Sequence, residues 1–287
     1  MSGMAADPVG SDASCRPERE LSIPFANHRG KPVDIRFDCT QCGRCCHDLK
    51  IPLSVDEARR WAGNGYQVQI LTEASPAFET PPPGSIERHR HDRAVPAMSG
   101  TVPIRVSILF VAAFEGPCPH LRADMLCGDY EARPRVCRIY PAEVSPRIAF
   151  DPSHKACPPE AWLSGPALLS PDGAVVDPAL SSLIAGHRSA DLADVDTKRR
   201  VCGALGIRSA AFANEGFALF SPSPDRLLRI LTNTGETPPE TQPGQWNLLT
   251  NRQTTLAMLD TVEAEAMMTR HGETYIGFFD DEIAVPD

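Results

Sequence analysis

Short alternations of apolar and polar residues predict strands in the first half of the chain. Val33, Ile35 and Phe37 are separated by single polar residues, so we expect a short strand that leads into Cys39. The apolar stretch over residues 101–114 is longer, and it predicts one or two buried strands.

A helix is predicted between these two segments. Ser54 followed by Glu57 is a capping-box pattern, which pairs two N–H groups that the first turn of a helix leaves free. The helix should run to about Ala62, because Gly63 and Gly65 then stop it. It would stand next to the densest group of cysteines.

Helical signals dominate beyond about residue 164. An N-cap residue precedes a proline suited to the first helical position in two pairs, Asp177–Pro178 and Ser223–Pro224. Apolar residues recur at helical spacing over residues 251–271, which predicts a longer helix, and an edge strand is expected over residues 275–279. We therefore predict a mostly α-helical C-terminal region.

The segment from Cys118 to Cys157 is rich in proline, which is incompatible with long helices or central strands. Metal coordination would substitute for the core that such a loop cannot build. We predict an α+β protein with a small, irregular, metal-stabilised cysteine-cluster domain of short strands and helices. The predicted divisions are a mobile N-terminal arm at 1–30, the metal-cluster domain at 31–163 and the helical region at 164–287.

Net charge and targeting signals predict the class of partner and the cellular compartment. The 287 residues carry a net charge of -9, so we expect no phosphate-neutralising surface and no nucleic-acid partner. The first residues resemble no secretory signal, and no apolar run approaches the ~20 residues that cross a bilayer. We therefore expect a cytoplasmic protein without membrane association, whose reduced cysteines are ligands or nucleophiles.

Eight of the ten cysteines fall into two groups of four. They are Cys39, Cys42, Cys45 and Cys46, in the pattern CxxCxxCC, and Cys118, Cys127, Cys137 and Cys157, in the proline-rich segment. Two-residue gaps let a turning backbone aim successive thiolates at one ion or cluster, and Gly43 permits the tight turn. Buried core cysteines and a disulfide framework are the alternatives, which the polar surroundings and the reducing compartment disfavour.

Adjacent side chains diverge on a strand or a helix, so Cys45 and Cys46 cannot easily face one metal. Cys39, Cys42 and Cys45 would then take one distal cysteine at a first site. Cys46 would join the remaining three at a second site. Two-cluster ferredoxins offer a precedent for a neighbouring cysteine that ligates the other cluster.

Basic side chains near the cysteines are candidates for contact with the ligands. Arg133, Arg135 and Arg138 crowd one distal cysteine, where positive charge lowers a thiol pKa and offsets the charge of thiolates. An ordinary solvated loop is the alternative. His47 and His154 could replace a cysteine, although we expect them beside the ligands or at the surface.

Four further residues have simpler interpretations. His89 and His91 alternate like a chelating pair, but the charges around them predict an exposed loop. Cys202 is predicted to lie in the core, and Cys15 lies in the N-terminal arm.

The runs FDCTQCGRCC, CPHL and LCGDYEARPRVCRIYP resemble the YkgJ family of cysteine-cluster proteins, which are described as zinc- or iron-chelating. The pattern is also similar to the related cluster of the flagellin lysine-N-methylases. The resemblance covers about residues 37–158 and implies that the eight cysteines are metal-binding positions. It implies no established reaction for most members.

Three functions remain open at this stage. Closely spaced cysteines combined with isolated distant ones are nearer to ferredoxin-style ligation than to paired zinc knuckles, so an iron-sulfur cluster is preferred over zinc, with an electron-transfer or redox role. The methylase resemblance implies the alternative of a transferase that uses S-adenosylmethionine on a protein lysine. A zinc-stabilised interaction module is the third. The partner or protein substrate is unknown, and no residue is assigned as catalytic.

Overall fold

A computed structural model describes residues 34–144, 150–171, 173–233 and 244–282. The predicted N-terminal arm and Cys15 lie outside the described residues. The fold is a mixture of α and β structure, as predicted. No helix in the described part of the chain has both the length and the apolar composition needed to cross a membrane.

Twelve strands are formed by the described residues. In chain order they are β1 Ile35–Arg36, β2 Lys50–Leu53, β3 Val68–Pro76, β4 Val95–Ser99, β5 Val102–Ala113, β6 Ala167–Leu169, β7 Ser209–Phe212, β8 Gly216–Phe220, β9 Gly244–Gln245, β10 Asn247–Thr250, β11 Ala266–Met268 and β12 Tyr275–Gly277. The prediction for residues 101–114 is confirmed as one strand, β5. The short strand before Cys39 and the strand beginning at Tyr275 are also confirmed.

The described residues also form seven α-helices. They are α1 Val55–Gly63, α2 Ile86–Asp92, α3 Arg135–Ile139, α4 Pro178–Ala193, α5 Val195–Leu205, α6 Pro224–Asn233 and α7 Gln253–Thr261. The capping box of α1 is confirmed, because Ser54 and Glu57 each bond the backbone N–H of the other. Asp177 caps α4 as predicted by accepting from the Ala179 N–H, and α6 begins at the expected proline.

Two sequence predictions about helices are wrong. The helix expected over residues 251–271 ends at Thr261, because Glu263 turns the chain with a φ of 58° and β11 then pairs with β10. The histidines His89 and His91 lie in a short helix, α2, rather than in a loop. The local sequence of both segments is compatible with more than one kind of element, and the backbone hydrogen bonds of the folded chain decide which one forms.

Ten strands form one large sheet around the antiparallel pair β3 and β5. On the other edge of β5 lie β2 and β4. β3 also pairs with β7 and β8, and β10 and β11 continue the sheet in parallel from β7. The sheet therefore crosses residue 163, where the sequence predicts a domain boundary.

The prediction of a mostly helical C-terminal region needs correction. Residues beyond 163 contain α4 to α7, but they also contribute six of the ten strands of the large sheet. These strands are short, and their pairing partners are distant in sequence. The alternation of apolar and polar residues is therefore too weak to predict them. The region is mixed α and β.

Two of the three hydrophobic cores of the described residues contact the clustered cysteines. One face of the large sheet is covered by α1, α5 and α6, where Trp61, Val201 and Leu227 are buried. A smaller core forms where α3 meets α4 and the two-stranded sheet of β1 and β6, and it buries Ile139 and Leu180. The cysteine segment lies against both cores.

Candidate metal centre

The CxxCxxCC array wraps tightly at its C-terminal end. Residues Arg44–Cys46 form a single 3-10 turn, which follows Gly43 in the left-handed conformation at φ 68°. The prediction that Gly43 permits this turn is confirmed. The carbonyl O of Gly43 accepts from the Cys46 N–H at 2.9 Å and from His47 Nδ1 at 3.1 Å. His47 therefore steadies the turn.

The segment after β5 is pinned to the array by backbone hydrogen bonds. The Cys118 N–H donates to the carbonyl O of Cys46 at 2.7 Å. Asp48 and Gly116 are joined twice, because the Asp48 N–H donates to the Gly116 carbonyl and the Gly116 N–H donates to Asp48 Oδ1. The first distal cysteine is thus brought beside the last cysteine of the array.

The loop from Cys118 to Cys127 closes on itself. Leu121 and Cys127 form an isolated antiparallel bridge, and the Gly128 N–H donates to the carbonyl O of His120 at 2.7 Å. The His120 ring packs between Trp61 and Tyr66, with centroid distances of 5.1 and 5.2 Å. Sequence reasoning gave His120 no role, and only the packing shows that it anchors this loop.

Cys137 lies on the short helix α3, whose N-terminus is held from outside. Pro134 precedes α3 and offers no side-chain cap. Instead, Glu57 of α1 accepts from the Arg135 N–H through Oε1 at 2.8 Å, while its Oε2 accepts from the N–H and the hydroxyl of Ser54. Glu57 is a residue whose link to the cysteines was missed, because its contact lies 78 positions along the chain.

Cys157 is held by Tyr140, which lies just beyond α3. The Cys157 Sγ and the Tyr140 hydroxyl are hydrogen-bonded at 3.6 Å, and the Ala156 N–H donates to the same hydroxyl at 3.0 Å. Burial, followed by the hydrogen bond with Cys157, raises the pKa of Tyr140 above its ordinary value. The hydroxyl therefore stays protonated.

A cleft of about 580 Å³ brings most of the predicted ligands together. The cysteines that line it are Cys39, Cys42, Cys45, Cys46, Cys127, Cys137 and Cys157. Cys118 is not part of this lining, and its N–H is bonded to the backbone of Cys46. Apolar residues of β6 and α4, including Leu168, Leu180 and Leu183, form the β6–α4 wall of the cleft.

The two neighbouring thiols of the array do not diverge as predicted. The Sγ atoms of Cys45 and Cys46 lie 4.0 Å apart, because both residues sit on the 3-10 turn rather than on a strand or a full helix. This hydrogen bond raises the pKa of Cys45 well above its ordinary value and lowers the pKa of Cys46. Cys46 is thus the more readily ionised of the pair.

The remaining thiols influence one another electrostatically. Burial raises the pKa of Cys157, the Tyr140 hydrogen bond lowers it, and the charges of Cys45, Cys39 and Cys42 raise it. Around Cys46, the raising charges after the effects of Cys45 and burial are those of Cys118, Cys137 and Cys127. The charge of Cys45 also reaches Cys118 and Cys137, so the eight cysteines form one interacting group and the two ligand sets stay a prediction.

Burial keeps several of these thiols protonated. It raises the pKa of Cys137 to about 12, and it raises the pKa of Cys118, where N–H groups of His120 and Leu121 act in the opposite direction. Thiolates are the species that bind zinc or iron, so metal binding must displace these protons.

The thiols lie near one another, but their sulfur atoms do not surround a common position for a metal ion. Within residues 34–144, 150–171, 173–233 and 244–282, no three side chains of histidine, cysteine, aspartate or glutamate form a group that could hold an ion as they stand. The donor set nevertheless fits zinc or iron, because it consists of soft thiols.

The predicted basic residues separate into two kinds. Arg133 and Arg138 line the cleft, and the charge of Arg133 lowers the pKa of Cys45 and Cys137 against the larger raising effects of the Cys46 hydrogen bond and of burial. Arg135 lies outside this lining, and its backbone is bound to Glu57. His154 is exposed, with Nδ1 3.8 Å from an oxygen of Asp151, and does not line the cleft.

Cys202 is buried in the large core within α5, as predicted. Burial raises the pKa of its thiol to about 12. It therefore stands apart from the eight clustered cysteines.

Comparison with known proteins identifies the cysteine segment. No curated protein and no solved structure matches the chain. Residues 38–158 match the model of the family named CxxCxxCC, which is described as "Putative zinc- or iron-chelating domain". The matched residues contain all eight clustered cysteines, and the β6–α4 wall of the cleft lies beyond them. Over residues 38–158, which are fewer than half of the chain, the protein is therefore similar to the CxxCxxCC family, whose description is zinc- or iron-chelating.

Proposed function

We propose that this protein holds iron-sulfur clusters in two neighbouring thiolate sets and serves in electron transfer. The first set is Cys39, Cys42, Cys45 and Cys157, and the second is Cys46, Cys118, Cys127 and Cys137. The observation that carries the proposal is the cleft lined by seven of the eight cysteines, to which Cys118 is joined through its hydrogen bond to the backbone of Cys46.

The sequence spacing of the cysteines supports clusters over single zinc ions. Structural zinc sites typically pair two CxxC knuckles. Here three closely spaced cysteines, Cys39, Cys42 and Cys45, combine with isolated distant ones, which is nearer to ferredoxin-style ligation.

The Cys45–Cys46 contact also supports an electron-transfer role. The two sets meet where these sulfurs lie 4.0 Å apart, so two centres held by them would be close neighbours. Iron-sulfur clusters in such a site would supply one-electron chemistry. The residues of the chain supply the ligands, the buried surroundings and the positive charge of Arg133.

Anaerobic purification tests this proposal. We expect a brown protein with visible charge-transfer absorption, in which iron and acid-labile sulfide are present in equal amounts. The Cys202→Ala variant is the matched control and should retain all of both, since Cys202 lies in the core of α5. A colourless protein that contains only zinc would overturn the proposal and favour a zinc-stabilised interaction module. The methylase alternative stays a prediction, and calorimetric titration with S-adenosylmethionine tests it.

A further inference from the structure

The cysteine cleft is also lined by residues that are not metal ligands. The whole cleft, including the space beside the thiols, has a volume of about 580 Å³, which falls in the range of pockets that hold small organic ligands. Apolar side chains of β6 and α4, among them Leu180 and Leu183, contribute to this lining from outside residues 38–158. Such side chains can cover the apolar part of a ligand.

Three arginines also line the cleft, in a chain whose net charge is -9. Arg122 is already paired, with Nη2 2.5 Å from Asp124 Oδ2. Arg133 is held differently, because its guanidinium carbon lies 3.9 Å above the centroid of the Tyr130 ring. Stacking of this kind fixes the plane of the guanidinium fork and leaves its edge free for an acceptor.

One N–H group of Arg133, at Nε, is buried and lacks a hydrogen-bond acceptor among the described residues. Asp177 is the one carboxylate among the described residues that line the cleft, and it accepts from the Ala179 N–H at 2.8 Å as the cap of α4. Guanidinium groups in proteins are normally paired, and among the described residues no salt bridge includes Arg133, so an anion that enters the cleft would complement its charge.

We propose that the cleft binds an organic anion, whose carboxylate or phosphate group pairs with Arg133 and whose apolar part lies on the β6–α4 wall. Arg138 lines the same cleft and adds positive charge. The inference rests on the proposed function, since it assigns a ligand class to the cleft of the proposed metal centre.

Calorimetric titration of the metal-loaded full chain with inorganic phosphate and with octanoate tests this site. We expect both to bind saturably, with octanoate tighter because it also covers the apolar wall. In Arg133→Lys the charge near the thiols is kept while the planar fork and its stacking are lost. Anion affinity, measured per metal-loaded chain, should fall at least about tenfold. Arg122→Lys is the matched control and should leave both affinities as they are.

A second variant separates the two halves of the ligand. Leu183→Ala should weaken octanoate several-fold and leave phosphate unaffected, because Leu183 is a partly buried residue of the apolar wall. Absence of saturable binding in the wild type, or equal affinities for wild type and Arg133→Lys, would overturn the site. Metal loss from Arg133→Lys at unchanged anion affinity would also overturn it. Failure of the proposed function can be distinguished from failure of the anion site, because it would appear as wild-type protein that contains no iron and no sulfide.

Discussion

Glu57 Oε1 accepts a hydrogen bond from the backbone N–H of Arg135 at 2.8 Å. One carboxylate thereby completes the capping box of α1 and caps α3, the helix that carries Cys137. Glu57 is buried, so the N–H groups that it binds have little access to water. The proline-rich segment is thus tied to the large core by a polar contact as well as by the cysteines.

Removal of this carboxylate should destabilise the protein more than removal of its capping partner. Glu57→Ala leaves the N–H groups of Ser54 and Arg135 unpaired, which costs about 2–5 kcal/mol of unfolding free energy. Ser54→Ala removes the cap alone and should cost about 1 kcal/mol. Urea denaturation measures both, and equal losses would show that the contact with α3 contributes little.

Metal content should report the two ligand sets separately. Cys157→Ser removes a ligand of the first set and Cys46→Ser a ligand of the second, so each variant should lose about half of the bound metal. The double variant should lose nearly all. Metal analysis of the purified variants tests the division into two ligand sets. Cys202→Ala is the control and should keep its full metal content. Unchanged metal in Cys46→Ser would show that the partition is wrong.

The metal-free protein should lose stability at alkaline pH. Burial raises the pKa of Cys202 from the ordinary 9.0 to about 12, so the folded state retains a proton that the unfolded state releases. This contribution is fully present below pH 9 and falls as pH rises toward 12, at roughly 1.4 kcal/mol per pH unit. Cys202→Ala removes this contribution, so its unfolding free energy should fall less steeply with pH. Parallel pH profiles of the two proteins, measured with urea, would contradict this expectation.

Removal of the C-terminal region should prevent folding of the cysteine domain. A fragment that ends at residue 163 loses β7 and β8, the partners of β3, together with the buried residues Leu227 and Leu231 that cover α1. We expect it to show no cooperative urea transition by circular dichroism. The intact chain, measured alongside, supplies the reference transition. A cooperative transition in the fragment would instead support the domain boundary predicted from the sequence.

The turn inside the array should tolerate a side chain poorly. Gly43 has φ 68°, and a Cβ there would lie 2.6 Å from the Cε of Met125. Gly116 has a similar φ of 71° but open space around it, so Gly116→Ala is a matched control. Each change costs roughly 1–2 kcal/mol of backbone strain. Gly43→Ala should in addition weaken metal binding in a chelator competition, because the strain falls in the turn that carries Cys45 and Cys46. Equal effects of both variants on metal affinity would contradict a role for this turn.

Local patterns predicted the elements whose signals lie within a few residues. The capping box of α1, the Asp177 cap of α4 and the apolar strand β5 all agree with the structure, because each depends on neighbours in sequence. The helix expected over residues 251–271 failed, since β11 exists only through its pairing with β10. Helical periodicity is a local signal, so it carries no information about a pairing strand elsewhere in the chain.

The sequence by itself determined that eight cysteines fall into two groups of four, because the CxxCxxCC spacing and the distal four are visible as a pattern typical of thiol ligands. Only the tertiary structure decided how they meet. It brought Cys45 and Cys46 within 4.0 Å on a 3-10 turn, placed Cys157 beside Tyr140, and closed the cleft with β6 and α4. The physical reason is that side-chain direction and long-range contacts follow from backbone packing, which sequence spacing does not encode.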